Sequence, residues 1–279
     1  MYILIFTILG IILLYLFMIM PSLKRKPGFK ALAKTIHIAH RGLHENHPPG
    51  GKPASAPENS LKAFELAAAA GYGIELDIQL SKDGRVVVFH DETLTRMCGI
   101  KGDVLDYTYE ELSAFPLLDS TERIPLFSEV LKLIDGRVPL VVELKIVNHG
   151  LSICTLGNEL LRNYKGLYVI ESFHPFALRW YRKNNPSVIR GQLADHFTSK
   201  EEFKSIQYRL LQNLLLNFIT KPDFIAFNHE HAGMWSRTLC RVLFRNPAIA
   251  WTIKSPAELE KAQSKFDWFI FEGFTPMPK

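Results

Sequence analysis

The chain has 279 residues, of which 47% are hydrophobic and 22% are charged, and its net charge is +5. This composition excludes a disordered chain, and the length is enough for one large domain or two modest ones. All of the net charge lies in residues 24–34, which carry five basic side chains and no acid. Elsewhere the basic and acidic side chains are equal in number, so the bulk charge does not favour a nucleic-acid partner.

The first twenty residues are apolar except for Thr7 and Gly10, and Pro21 ends the run. Twenty helical residues span about 30 Å, the thickness of a bilayer core. A cleaved signal peptide is disfavoured because no Lys or Arg precedes the run, and a buried core helix because the run has no polar stripe. We therefore expect residues 1–22 to be a retained single-pass membrane anchor and residues 23–35 to be a basic juxtamembrane linker.

The basic cluster behind the apolar run predicts which side of the membrane the rest of the chain occupies. Positive segments favour the cytoplasmic side, so we expect the domain after the anchor to be cytoplasmic. The same cluster is suited to contact anionic membrane lipids. The three cysteines, Cys98, Cys154 and Cys240, are widely spaced and suggest no disulfide framework or metal-binding pair, which agrees with a reducing compartment.

After the cluster, short β-rich runs alternate with stretches long enough for a helix. The predicted strands are 36–39, 73–79, 139–145, 168–172, 188–193, 224–228, 248–252 and 268–272. Eight such units predict a (β/α)8 barrel of the TIM type over residues 36–279, and an open doubly wound sheet is the alternative.

Several helices can be placed between these strands. Residues 60–70 are Ala-rich and follow Asn59, a favourable N-cap, and residues 128–134 follow the same pattern with Ser128 as the cap. Apolar residues from Phe203 to Phe218 recur at helical spacing, which predicts a helix over 200–218. Residues 235–244 mix Arg with Leu and Val, which fits a barrel helix better than a helix lying in a membrane interface.

A ninth strand, 85–90, follows the second after only five residues, which is too short for a parallel crossover. Asp83-Gly84 is a tight-turn pair, so this strand should return as an antiparallel hairpin. Residues 92–122 then form a small insertion. Within it, Thr108 and Glu111 have the spacing of a capping box, which predicts a short helix near 109–115.

Polar residues cluster where the predicted barrel strands end, and in such barrels those ends line the active site. The set comprises His40, Arg41, Glu75, Asp77, His90, Glu143 and Lys145. Each alone has a structural explanation, as a buried histidine or an ion pair. Together, three carboxylates facing one mouth would repel one another strongly, and a divalent cation removes that difficulty. All-oxygen ligation favours Mg²⁺ or Ca²⁺ over zinc.

Such a site suits the cleavage of a phosphodiester. A metal ion, Arg41 and Lys145 can hold a phosphate and offset charge that grows on its oxygens. His40 and His90 can serve as general base and general acid, and the residues alone leave open which one plays which role.

The ordered motifs resemble those of the glycerophosphodiester phosphodiesterases over roughly residues 36–275. The motifs that carry the resemblance are His40-Arg41-Gly42, Pro57-Glu58-Asn59-Ser60, Glu75-Leu76-Asp77, Asp83-Gly84, His90-Asp91, Ile124-Pro125, Glu143-Leu144-Lys145, Ser172-Phe173 and Trp251-Thr252. The resemblance implies an α/β barrel related to phosphatidylinositol-specific phospholipases C. It also implies metal-dependent hydrolysis of glycerophosphodiesters to glycerol 3-phosphate and an alcohol.

The resemblance also implies a role for each site residue. By position, the catalytic histidines would be His40 and His90, the phosphate-binding residues Arg41 and Lys145, the metal carboxylates Glu75, Asp77 and Glu143, and the supporting residues at the pocket edge Glu58 and Asn59. Trp251 would be either an apolar wall near the glycerol or part of the barrel core. The glycerol 2-hydroxyl would attack phosphorus, and water would open the resulting cyclic phosphate.

Two segments depart from the family pattern. The loop over residues 44–52 is long and contains His44 and His47, which we expect to lie in a surface loop rather than to bind metal. Near the C-terminus, Glu272 stands in a segment where a Thr-Asp pair is usual, and Lys254 stands where Asn is usual. These departures concern the last strand and the glycerol pocket.

Two other functions remain as alternatives to glycerophosphodiester hydrolysis. One is a lysophospholipase D-like enzyme acting on lysophospholipids, since an anchor would place the barrel near lipid. The other is a non-catalytic, membrane-tethered binding module, although no histidine or metal carboxylate of the set is missing. The sequence leaves the alcohol, the metal ion and the oligomeric state open.

Overall fold

The computed structural model describes residues 1–47, 52, 54–148, 150–197 and 205–277. Eight parallel strands form a closed barrel, because the first strand pairs with both the second and the last. The strands are β1 (His37–Ala39), β2 (Gly73–Leu80), β3 (Val86–Val88), β4 (Leu140–Leu144), β5 (Tyr168–Ser172), β6 (Ile189–Ala194), β7 (Phe224–Asn228), β8 (Ala248–Ile253) and β9 (Trp268–Phe271). The closed barrel confirms the prediction over the open-sheet alternative.

Helices surround the barrel and precede it. They are α1 (Tyr2–Ile19), α2 (Gly28–Leu32), α3 (Leu61–Ala69), α4 (Thr95–Cys98), α5 (Tyr109–Leu112), α6 (Phe127–Ile134), α7 (Ser152–Arg162), α8 (Pro175–Asn184), α9 (Ile206–Gln212), α10 (Asn217–Thr220), α11 (Trp235–Leu243) and α12 (Pro256–Gln263). Short 3-10 turns lie at Val104–Asp106 and His229–His231.

The alternation of side chains along β2 shows how the strands build both core and site. Ile74, Leu76 and Ile78 pack into the cluster between the barrel and its helices. Because successive side chains of a strand point to opposite faces, Glu75 and Asp77 point into the barrel. The barrel interior below them is filled by an apolar cluster contributed by the other strands. The carboxylates therefore lie directly above the packed apolar interior of the barrel.

The predicted hairpin is present as β3, which pairs antiparallel with β2 and places Val88 opposite Ile78. Its turn contains Gly84 at φ 75°, a conformation that favours glycine. The insertion after β3 has its own apolar cluster, which includes Leu94, Met97 and Leu112. The capping box that begins α5 is also present between Thr108 and Glu111. The hairpin and insertion thus form a small lobe beside the barrel mouth.

Two predicted helix caps are wrong, and each has a local reason. Ser60, not Asn59, caps α3, since its hydroxyl accepts from the amide of Ala63 at 3.1 Å. Asn59 instead turns toward the site at φ 57°. Helix α6 begins before Ser128, and the carboxylate of Glu129 accepts from the Leu126 amide at 2.7 Å in place of a serine cap.

The single helix predicted over 200–218 is also wrong for the described part of that segment. Two helices, α9 and α10, are separated by a break in which Leu214 has φ 56°. Apolar spacing continues across the break, so periodicity alone does not reveal it. Phe203, which was part of the predicted pattern, lies outside the described residues.

Helix α1 is the one described helix long and apolar enough to cross a membrane, with a mean hydropathy of 2.8. Most of its surface is exposed, but its last turn packs on the barrel. The side-chain amide of Asn217 donates to the backbone carbonyl of Ile19 at 2.9 Å, and the ring centroids of Phe17 and Phe218 lie 5.5 Å apart. The end of the apolar helix is thus fixed to the barrel surface.

The segment 23–35, predicted as a linker, is held against the N-terminal ends of the barrel strands. Helix α2 places Phe29 and Leu32 in the interior cluster, and the Trp268 indole donates to the Leu32 carbonyl at 3.1 Å. Lys26 forms an ion pair of 2.6 Å with Asp223 just before β7. One of the five clustered cations therefore points into the protein.

Helix α11 packs on the barrel, as the preferred interpretation of residues 235–244 predicts. Arg237 is buried, donates to the Ala232 carbonyl at 2.9 Å and stacks on Phe266. Arg241 forms an ion pair with Asp267. The two arginines that suggested a membrane interface are both engaged within the protein.

Candidate active site

The predicted site residues converge at the C-terminal end of the barrel. His40 and Arg41 directly follow β1, Glu75 and Asp77 lie on β2, and Glu143 lies on β4, with Lys145 directly after it. Asp77 and Glu143 are direct neighbours in the register of β2 and β4. The three carboxylates offer oxygens that all lie within 4.8 Å of one another, and all three side chains are buried. The structure therefore brings the predicted metal cluster together.

The charges of this cluster favour a cation. Burial, then repulsion from neighbouring carboxylates such as Asp77, raises the pKa of Glu75 well above its ordinary value, and burial raises that of Glu143. Burial would also raise the pKa of Asp77, but nearby Lys145, His90 and Arg41 hold it low. Three buried carboxylates this close together repel one another when ionised, and a bound cation would remove that repulsion. Their all-oxygen donor set fits a hard divalent ion.

Arg41 is fixed by both its backbone and its side chain. Its amide donates to Glu75 at 2.9 Å, and its guanidinium lies 2.6 Å from Glu58 and 3.5 Å from Asp77. Gly42 makes this turn possible, because its φ is 82° and a Cβ there would meet the backbone of Ala63 at 2.8 Å. The lack of space for a side chain thus explains why the His40-Arg41-Gly42 motif has glycine at this position.

Glu58 and Asn59 support the site from the loop before α3. Glu58 accepts from Arg41 and Arg96, and although burial would raise its pKa, these hydrogen bonds lower it to about 2. The side-chain amide of Asn59 donates to the carboxylate of Asp77 at 2.9 Å. Both residues thus contact the predicted site residues, and their supporting role stays a prediction.

His40 is held by a carboxylate that directly follows the last strand, β9. Its Nδ1 donates to Glu272 at 2.5 Å, and its Nε2 lies 3.9 Å from Glu75. Burial lowers the pKa of His40 to about 4, so the imidazole is neutral at pH 7. Burial would raise the pKa of Glu272, but the hydrogen bond from His40 and the nearby His44 and Lys254 hold it well below its ordinary value. The pair is a neutral histidine oriented by an ionised glutamate.

His90 has a comparable partner on the hairpin lobe. Its Nδ1 lies 2.7 Å from Asp91, which in turn accepts from Arg96 at 2.6 Å. Gln79 on β2 donates to the carbonyls of Phe89 and Asp91, each at 2.8 Å, and so fixes this end of the hairpin. Arg96 therefore joins the His90 side of the site to Glu58 on the His40 side.

Lys145 lies 2.7 Å from Glu143 and 3.0 Å from Asp77. Burial alone would lower its pKa, but the two carboxylates raise it well above its ordinary value. Lys145 is therefore a fixed cation in the carboxylate cluster.

Three site residues were not predicted from the sequence. Glu272 was noted only as a departure from the family pattern, and Arg96 lies in an insertion that gives no local signal. Glu171 is buried directly opposite Glu143 in the register of β4 and β5. Burial and the nearby Glu143 raise its pKa well above its ordinary value. Its place at the end of a barrel strand is the signal by which it could have been found.

His44 lies in the wall of the site instead of on the surface, which corrects the expectation for this residue. Its Nε2 is 3.8 Å from Glu272, and neither ring nitrogen has a hydrogen-bond partner among the described residues. His47 is exposed, and residues 48–51 and 53 of the same loop lie outside the described residues.

Trp251 is half-buried and packs on Phe173, with a centroid distance of 5.7 Å. It belongs to the edge of the cluster that fills the barrel interior. This position agrees with the core interpretation, and a contact of the indole with substrate stays a prediction.

Comparisons with known proteins agree with the geometry. Residues 40–230 match the model of the glycerophosphoryl diester phosphodiesterase family. The chain is 35% identical over 163 residues to a glycerophosphodiester phosphodiesterase of Bacillus altitudinis, a match that covers 54% of this chain and 63% of that relative. It is 33% identical over 143 residues to a lysophospholipase D of Rattus norvegicus, covering 46% of this chain and 41% of the relative.

The fold comparison extends further along the chain. The crystal structure of a glycerophosphodiester phosphodiesterase from Thermotoga maritima aligns with a TM-score of 0.64 and 26% identity, covering 85% of this chain and 94% of that one. The family match includes His40, His90 and all three clustered carboxylates, and it spans more than half of the chain. The chain therefore belongs to the glycerophosphoryl diester phosphodiesterase family, a family of hydrolases.

Proposed function

We propose that the protein hydrolyses glycerophosphodiesters to glycerol 3-phosphate and an alcohol with the help of Mg²⁺ or Ca²⁺. The observation that carries this proposal is a buried cluster of three carboxylates flanked by two histidines, each paired with its own carboxylate. Family membership supports the same chemistry.

The carboxylates of Glu75, Asp77 and Glu143 would hold the divalent cation. When bound, such an ion supplies positive charge that stabilises the negative charge developing on phosphate oxygens. Arg41 and Lys145 would contribute further positive charge beside the same cluster. Glu58 and Asn59 would keep Arg41 and Asp77 in place, and Trp251 would border the glycerol.

His40 would act as the general base of the first step. Its Nδ1 is occupied by Glu272, so Nε2 of the neutral ring is the atom able to accept a proton from the glycerol 2-hydroxyl. The hydroxyl oxygen then forms a bond to phosphorus. Because this nucleophile belongs to the substrate itself, the attack gains from proximity. Glu272 stabilises the imidazolium that forms.

His90 would act as the general acid of the same step. With Nδ1 held by Asp91, its Nε2 can donate a proton to the oxygen of the departing alcohol as the bond from that oxygen to phosphorus breaks. In the second step His90 takes a proton from water, and the water oxygen attacks the cyclic phosphate. The bond from the glycerol 2-oxygen to phosphorus breaks, and His40 returns its proton to that oxygen, which restores both histidines.

The test is release of glycerol 3-phosphate from glycerophosphocholine in the presence of Ca²⁺ or Mg²⁺. We expect activity in the wild type, loss with excess EDTA, and loss in His40→Ala. His231→Ala is the matched control, since His231 also pairs with a carboxylate, Asp195, outside the proposed set. Equal activity of wild type and His40→Ala would refute the mechanism.

We further infer that α1 is a single-pass membrane anchor and that the barrel lies on the cytoplasmic side. Support comes from the apolar, exposed surface of α1 and from the basic cluster that follows it. Because the Ile19 carbonyl at the end of α1 accepts a hydrogen bond from Asn217, the barrel would lie directly at the membrane surface. Resistance of the barrel to external protease in intact cells is the expected result, and its digestion would contradict the cytoplasmic placement.

A further inference from the structure

His40, His44 and Glu272 form a second group of potential metal ligands beside the carboxylate cluster. Each offers one ligand atom, and the three atoms lie within 4.8 Å of one another. The carboxylate cluster offers oxygens alone, whereas this group offers two imidazole nitrogens and one carboxylate oxygen. Nitrogen ligands of this kind favour Zn²⁺ over Ca²⁺ or Mg²⁺. The two groups are therefore suited to different ions.

Glu272 presents one oxygen to both imidazoles. Its Oε2 lies 2.5 Å from His40 Nδ1 and 3.8 Å from His44 Nε2. Its other oxygen, Oε1, lies 3.1 Å from the ammonium of Lys254, which holds the carboxylate in this orientation. Because the Lys254 side chain is 64% exposed, water weakens its repulsion of a cation on the Oε2 side.

His44 supplies independent evidence for a ligand, because its ring has no partner. Both ring nitrogens are shielded from solvent and lack a hydrogen bond within the parts of the chain that the structure describes. Unpaired buried polar groups are unfavourable, and a cation bound to a ring nitrogen would remove this cost. A cavity of about 840 Å³ borders His44, His40 and Glu272 and gives an ion a way in.

The spacing of the three atoms is close to that of a tetrahedral zinc site. With bonds of about 2.0–2.2 Å, two ligand atoms of such a site lie about 3.4 Å apart. His40 Nδ1 and Glu272 Oε2 would separate by about 1 Å, and His44 Nε2 would approach Oε2 by a few tenths of an ångström. Two histidines and one glutamate also form a known zinc ligand set, in which water takes the fourth position.

Two of the three residues lie in segments that depart from the family pattern. His44 belongs to the long loop after His40, and Glu272 stands where a Thr-Asp pair is usual. The carboxylate cluster, by contrast, is built from the family motifs. The nitrogen-containing group is thus a feature of this chain and not one that the family implies.

We propose that His40, His44 and Glu272 form a second metal site, which binds Zn²⁺ and thereby inhibits hydrolysis. The inhibition rests on the proposed function, because it requires His40 to be the general base. Without zinc, Nδ1 carries the ring proton and Nε2 has the free lone pair. With Zn²⁺ on the lone pair of Nδ1, the ring proton moves through solvent to Nε2. Nε2 then cannot accept the proton of the glycerol 2-hydroxyl.

The binding test is calorimetric titration of Zn²⁺ into the full-length protein in detergent, with excess Ca²⁺ present to saturate the carboxylate cluster. We expect one Zn²⁺ to bind per chain. His44→Gln should weaken binding more than about 100-fold, because loss of even an outer-shell partner of a metal ligand costs about 10- to 100-fold. Glu75→Gln should keep the wild-type affinity for Zn²⁺, since Glu75 belongs only to the carboxylate cluster.

His47→Gln is the matched control for His44→Gln. His47 lies in the same loop, is exposed and belongs to neither group of ligands, so this variant should bind Zn²⁺ as the wild type does. Thermal unfolding shows whether each variant is folded. If His44→Gln does not fold, Glu272→Gln takes its place, because it removes another of the three ligands.

The kinetic test is hydrolysis of glycerophosphocholine with and without Zn²⁺, each variant being compared with its own rate in Ca²⁺ or Mg²⁺ alone. Zn²⁺ should lower kcat in the wild type and in His47→Gln. Excess Ca²⁺ should not restore the rate, because the two ions occupy different sites. His44→Gln should keep its own rate at Zn²⁺ concentrations that inhibit the wild type.

The possible outcomes separate this proposal from the proposed function. Zn²⁺ binding that is lost in His44→Gln and kept in His47→Gln, together with inhibition, supports the proposal. Equal affinity in the wild type and a folded His44→Gln, inhibition that excess Ca²⁺ relieves, or binding without inhibition overturns it. A wild type that hydrolyses nothing with Ca²⁺ or Mg²⁺ but still binds Zn²⁺ through His44 overturns the proposed function and the inhibition, and supports the metal site alone.

Discussion

The pairing of His40 with Glu272 gives the sharpest test of how the site acts. The bond from Nδ1 to the carboxylate measures 2.5 Å and joins a base to the group that stabilises its protonated form. A hydrogen bond to a charged group contributes about 1.5–3 kcal/mol. Glu272→Gln should therefore lower kcat by about 10- to 160-fold. Substrate binding does not use this bond, so KM should change little.

The assay is steady-state hydrolysis of glycerophosphocholine at saturating Ca²⁺, with thermal unfolding measured in parallel. Glu272→Asp keeps the charge and should recover part of the lost kcat. Asp195→Asn is the matched control, because it removes the carboxylate beside His231 and should leave kcat unchanged. A Glu272→Gln enzyme with kcat within threefold of wild type, alongside an inactive His40→Ala enzyme, would refute the proposed role of Glu272.

Further predictions concern the metal, the acid stability and the N-terminal segment. Ca²⁺ at 100 times its Kd should stabilise the fold by about 2.7 kcal/mol, seen as a rise in Tm that Glu75→Gln abolishes; an equal rise in the variant would exclude this site. The pKa of Glu58 is lowered to about 2, so its stabilising effect is present above its ordinary pKa and is lost as the pH falls toward 2. In Glu58→Gln the unfolding free energy, measured with denaturant, should fall less over this pH range than in the wild type. An equal fall in both proteins would contradict the role of the Glu58 ion pairs. Leu32 is fully buried in the barrel interior, so Leu32→Ala should cost about 2–5 kcal/mol of unfolding free energy while the exposed Lys30→Ala costs little. Equal stabilities would show that residues 23–35 do not support the barrel.

The strand order and the clustered carboxylates could be predicted because both follow from short-range patterns. Glu75 and Asp77 share one face of a strand by the period of two, and barrel strands bring their C-terminal ends to one mouth. Glu143 and Lys145 follow the same rule. The family motifs then set which residues to expect at that mouth.

The residues that were missed depend on contacts between distant parts of the chain. Glu272 lies 232 positions from its partner His40, and nothing in the last strand alone points to that contact. Arg96 joins Asp91 and Glu58 through an insertion whose path is set by its own apolar cluster. The break at Leu214 falls within a continuous apolar pattern, so tertiary packing decides it.

The most direct test of the central claim is ³¹P NMR of the purified full-length protein acting on glycerophosphocholine, with and without Ca²⁺ or Mg²⁺. We expect glycerol 3-phosphate to appear as the phosphorus product with either ion or both, and excess EDTA to stop its formation. Release of phosphocholine instead, or the same rate in EDTA, would contradict metal-dependent cleavage on the alcohol side of the phosphate.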